Sequence, residues 1–196
     1  MSNAGGMSTV TRYTDMLAGN TVWSPWEPQG AFDSLATVTV PSGGAASVTF
    51  AGIPQGYEHL QIRCLTKSSL AGPASAIGVQ FNSATTGYFN HGIFADGASV
   101  GSYATTSSNN AGSLYIAGSS TTNMFGAGII DVLDYALTDK NKTIRILSGA
   151  DFNGSGQVRF ASGSFASTSP ITSFTLLDVN GGTLSQFSQF ALYGVR

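Results

Sequence analysis

Ile129-Ile-Asp-Val-Leu-Asp-Tyr135, Thr143-Ile-Arg-Ile-Leu147 and Gln157-Val-Arg-Phe-Ala161 are followed by two more apolar runs, at 171–179 and 187–195. Short polar segments separate them: Asp139-Lys-Asn-Lys142, Asp151-Phe-Asn-Gly-Ser-Gly156, Ser169-Pro170 and Asn180-Gly-Gly182. Alternating runs bounded by Gly, Asn, Asp and Ser read as strands joined by turns. No stretch in this region has the 3.6-residue apolar period of an amphipathic helix. The chain runs from strand to strand until it stops at Arg196.

The same pattern extends backwards. Residues 35–40, 46–50, 58–67, 76–81 and 113–117 read as strands, with Leu60, Ile62 and Cys64 on one face and Arg63 on the other. The expected count is nine or ten strands at short spacing. That makes the fold class all-β, an antiparallel sandwich of jelly-roll type. An immunoglobulin-type sandwich is disfavoured because no Cys–Trp–Cys pattern exists. Residues 83–112 are rich in Gly, Ser, Thr, Asn and Ala and read as a long surface loop carrying Tyr88, Phe89, His91, Phe94 and Tyr103.

The expected organisation is an extended N-terminal arm over 1–33 and a β-sandwich domain over 34–196. The arm holds Tyr13, Trp23, Trp26 and Phe32, but Pro25 and Pro28 bracket Trp26 and exclude a regular helix or central strand there. Its rings need a groove to lie in, on this chain or a partner.

Composition narrows the function. Of 196 residues, 42% are hydrophobic, enough for a core, while only 9% are charged and the net charge is −2. The charged fraction is far below the usual quarter. A polar but nearly uncharged surface suits a protein docked against a larger assembly. No basic stripe points to nucleic acid, no run of 18 apolar residues points to a membrane span, and the N-terminus lacks a secretory pattern. Cys64 is the one cysteine and is expected as a small core residue.

The chemistry-bearing residues do not assemble into a reactive motif. Asp151-Phe-Asn-Gly-Ser-Gly156 opens like a calcium loop, yet Ser162 stands where the twelfth-position Glu belongs, so it reads as a hairpin turn. Asp131 and Asp134 fall on opposite faces of a strand and read as exposed partners of Lys140, Lys142 or Arg145. His59 and His91 are far apart in sequence. No catalytic residue, metal ligand or cofactor is assigned. Tyr88, Phe89, His91 and Tyr103 form a candidate glycan-binding or interface loop, since sugar faces stack on rings.

Ile53-Pro-Gln-Gly-Tyr-Glu-His-Leu-Gln-Ile-Arg63, Phe81-Asn82, Ile130-Asp-Val-Leu-Asp-Tyr135, Lys140-Asn-Lys-Thr143, Gly149-Ala-Asp-Phe-Asn-Gly154, Ser162-Gly163 and Ala191-Leu-Tyr-Gly-Val-Arg196 resemble small β-rich structural proteins of tailed bacteriophages, including cyanophages. The resemblance covers 34–196. It implies a jelly-roll-like fold and a place in the virion, either as a capsid decoration (cement) protein or in a tail fibre that binds cell-surface glycan. Implied partners are the major capsid protein or other virion proteins, with homo-oligomerisation, as a trimer at capsid three-fold positions. Tyr13, Trp23, Trp26 and Phe32 are the expected anchor. A sugar hydrolase on the same sandwich is the third reading, weakened by the lack of a convergent acid pair.

Overall fold

A computed structural model describes residues 31–196, and Ser34–Arg196 form one compact unit. Tyr13, Trp23 and Trp26 lie outside the described residues. Every regular element among the described residues is a β-strand. There are twelve: β1 (Phe32–Thr39), β2 (Ser47–Ala51), β3 (His59–Thr66), β4 (Ala74–Phe81), β5 (Tyr88–Ala95), β6 (Val100–Ser108), β7 (Ser113–Ala117), β8 (Gly126–Leu133), β9 (Lys142–Asp151), β10 (Gly156–Phe165), β11 (Ser173–Asp178) and β12 (Gln189–Val195).

They form two sheets. The larger runs β1-β12-β3-β8-β9-β10-β5-β6 and the smaller β2-β11-β4-β7. Removing the hairpins β5–β6 and β9–β10 leaves eight strands. Ranked along the chain, these lie in the orders 1-8-3-6 and 2-7-4-5. Those interleaved orders are the two Greek keys of a jelly roll. The hairpins are therefore insertions that widen one sheet from four strands to eight.

Alternation explains each strand. β3 buries Leu60, Ile62 and Cys64, β9 buries Ile144 and Ile146, and β11 buries Phe174 and Leu176, while the residues between them face outward or are half-buried. These side chains meet Val48, Phe50, Ile77, Val79, Phe81, Leu114, Ile116, Ile130, Val132, Phe190 and Leu192 in one core. Phe81 stands at its centre, edge-on to Phe174 at 5.2 Å and tilted against Phe165 at 5.9 Å. Cys64 is buried there, and desolvation pushes its thiol up to about 12, so it is inert at neutral pH.

The segment 83–112 differs from the expected loop: it contains β5 and β6, an antiparallel hairpin with one register shift between Tyr88 and Asn90. The twelve strands are the ten expected plus these two. The pattern was hidden because the apolar residues on β5 point both ways. Tyr88 is buried while Phe89 and Ile93 are exposed, and the polar Asn90 turns inward. Asn90 is held there by an Nδ2 bond to the Asn110 carbonyl at 3.3 Å.

The widened part of the large sheet has its own inner-face contacts. Arg159 on β10 places its guanidinium 5.4 Å from the Tyr103 ring centre and 5.7 Å from that of Tyr115. Its nitrogens donate to Ser113 Oγ at 3.1 Å and Gln157 Oε1 at 3.0 Å. At Gly163 a side-chain carbon would collide with the Ala111 carbonyl oxygen. The segment entering β7 therefore lies directly on β10. The Ser148 hydroxyl on β9 accepts the Tyr115 N–H at 2.9 Å, tying the edge of the small sheet to the large one.

Candidate interaction face

The outer face of the large sheet carries an uninterrupted cross-strand row. Ile129, Leu147, Phe160 and Ile93 stand side by side on β8, β9, β10 and β5. Their exposures run from 39% to 55%. Arg63 continues the row on β3 and Ser102 on β6. The neighbouring row is Leu65, Ala127, Gly149, Val158, Ala95 and Val100. Its Leu65, Val158 and Val100 are also exposed. Side chains opposite one another on adjacent strands touch, so these residues form one contiguous apolar surface rather than scattered exceptions. A contiguous apolar patch of this breadth marks an interaction site.

The small residues Ala127, Gly149 and Ala95 open a groove of about 510 Å³ at one end of this face, walled by Phe125, Val158 and the β9–β10 turn. Asp96 and Asp151 stand on its rim. Each carboxylate is committed to its own turn. Asp96 accepts the N–H groups of Ser99 at 2.8 Å and Ala98 at 3.0 Å, which hold its carboxyl below the usual value. Asp151 accepts the Asn153 N–H at 2.8 Å, and Asn153 takes a left-handed conformation with φ 59°.

A polar row borders the apolar ones: Gln61, Asp131, Arg145, Ser162, His91 and Ala104. Gln61 Nε2 donates to Asp131 Oδ1 at 2.8 Å, and Arg145 lies 3.6 Å from Asp131 Oδ2. Asp134 binds Lys140 at 2.7 Å, and the Lys140 hydrogen bond holds the Asp134 carboxyl below its ordinary value. His59 Nδ1 accepts the Asp134 N–H at 3.1 Å. Lys142 departs from the expected exposed pairing. It is fully buried, and its ammonium donates to the carbonyls of Leu137, Thr168 and Lys140. Burial lowers its affinity for the proton. The turn residues preceding β9 curl back over this side chain, which the spacing of charges along the chain does not reveal.

The four aromatic-loop residues do not share a surface. Tyr88 is in the core: its hydroxyl accepts the Phe81 N–H at 2.8 Å, and its ring stacks on Phe165 at 4.7 Å. Tyr103 is half-buried on the inner face against Arg159. Phe89 and His91 are exposed on the outer face. Of the arm residues only Phe32 is described; it opens β1 and is 43% exposed. The outer apolar rows escaped the sequence reading because an apolar residue in an alternating strand is taken by default for the core side. The signal present was a doubled pattern: Val158 and Phe160 beside Ala161, and Ile146 beside Leu147.

Comparison with family models, curated proteins and solved structures gives no match.

Proposed function

We propose that the protein is a structural component of a tailed-phage virion, a capsid decoration (cement) protein that binds the shell through the outer face of its eight-stranded sheet. The observation that carries this reading is the row Ile129–Leu147–Phe160–Ile93, large apolar side chains in register on an open sheet face. Jelly-roll architecture and the sequence likeness to phage structural proteins support the virion setting.

The mechanism is burial without chemistry. Apolar area removed from water contributes roughly 25 cal/mol per Å², less the cost of association. The cores of protein interfaces are depleted in charge, and the two apolar rows carry one charge, Arg63 at their end. The hydrogen-bonded eight-stranded sheet that carries the face keeps it rigid, so little ordering cost opposes docking. Many copies on a symmetric shell then gain through multivalency.

The test is co-sedimentation with shells of the virus that encodes the chain. Leu147→Glu with Phe160→Glu is expected to retain the fold and lose at least tenfold in occupancy. Removal of residues 1–30, which leaves β1 intact, measures the share of Tyr13, Trp23 and Trp26 in the same assay. Wild-type occupancy by the double variant would remove the face from the mechanism.

A further inference from the structure

The large sheet ends in an open strand, and its chemistry favours one occupant. β6 is nine residues long and bonded to β5 on one side only. Among the described residues it makes no backbone hydrogen bond on its other side. Natural edge strands are protected by Lys, Pro, inward charges or short length. Val100-Gly-Ser-Tyr-Ala-Thr-Thr-Ser-Ser108 carries no Lys, Pro or charge, and its one irregularity lies beyond Thr105.

The phase of the β5–β6 ladder shows which groups are free. The Asp96 N–H bonds the Ser99 carbonyl across the hairpin turn. Bonded pairs in an antiparallel ladder recur at every second residue. Phe94–Gly101 and Gly92–Tyr103 are therefore the pairs that exchange bonds across the hairpin. Val100, Ser102 and Ala104 then direct both N–H and C=O away from β5, where no described backbone group meets them. Beyond Thr105 the register shift breaks the pattern. The usable edge is a short, uncharged segment centred on Ser102.

We propose that β6 is a strand-addition edge for a second copy of this chain, paired antiparallel about a two-fold axis through Ser102. Val100 then faces Ala104 of the other copy, and Ser102 faces itself. An isologous two-fold matches every free donor to an acceptor with one segment. Neutral side chains leave no repulsion when the edge meets its own image. Pairing also covers Val100, which at 79% is the most exposed large apolar side chain among the described residues. The two eight-stranded sheets become one, and the apolar rows of both copies run on as a single face.

The experiment is sedimentation velocity on the full chain over a range of concentrations, together with two variants. The wild type is expected to associate to twice its 20.1 kDa mass. Ser102→Lys sets two ammonium groups opposite each other on the axis and is expected to shift the protein to monomer with unchanged melting temperature. Ser102→Cys is expected to give a disulfide-linked dimer under oxidation, since facing Cα atoms in a bonded pair are about 5.5 Å apart; the native Cys64 is buried and stays silent. A monomeric or trimeric wild type, or a dimer indifferent to Ser102→Lys, would overturn the two-fold pairing. A wild-type dimer that does not co-sediment with shells would count against the proposed function alone.

Discussion

Single residues separate packing roles from recognition roles. Tyr88 seals the junction of β4 and β5. Its hydroxyl satisfies the buried Phe81 N–H and donates to the Ala84 carbonyl at 3.1 Å. Tyr88→Phe strands that N–H, and an unsatisfied buried donor costs about 1–3 kcal/mol. Urea denaturation should show the loss, with no change in any binding. A variant as stable as wild type would contradict the core role. Asp134 makes a second test. Its folded-state carboxyl titrates below the ordinary 3.8, chiefly through the Lys140 hydrogen bond. A depressed carboxylate adds stability in full above its unfolded value, and that stability is lost as pH falls through the folded value. A carboxyl-carbon NMR titration should place the midpoint below 3.8 in the wild type and nearer to it in Lys140→Met. Equal midpoints would remove the pair from the account.

Elements show why part of the fold was open to a reading of the sequence and part was not. β3, β9 and β11 alternate cleanly because one face meets the core, and the turns after β9 and β11 carry Asn-Gly. β5 and β6 belong to an insertion whose outer face is as apolar as its inner one. Period-2 hydrophobicity fades there, and low strand propensity of Gly, Ser and Asn completes the disguise. What stabilises the insertion is close approach. Gly163 lets the 109–112 segment lie on β10, and Gly101 lets Phe94 cover β6. Gly163→Ala forces a methyl group against the Ala111 carbonyl. Overpacking of this kind costs about 1–3 kcal/mol, so the melting temperature should fall by several degrees, whereas Gly154→Ala, whose added carbon meets nothing within 4 Å, tests backbone strain alone. An unchanged melting temperature for Gly163→Ala would mean that the segment does not pack as described. The apolar outer rows were invisible for a related reason: a sequence shows that Phe160 and Ala161 are both apolar, but only the register with Leu147 and Ile93 shows that Phe160 belongs to a surface.

The whole molecule is a jelly roll widened on one side. Two inserted hairpins double the width of one sheet without doubling its partner, and the added width carries Phe160, Val158, Ile93 and Val100 on its open side. A face of that kind, on a chain with few charges, has its reason in what covers it. The most direct measurement is a cryo-electron density map of the intact virus particle into which the chain is placed. The account predicts density for the chain on the shell, with Leu147, Phe160 and Ile93 turned toward the capsid subunits. A particle lacking the chain, or one in which those three side chains look into solvent, would contradict it.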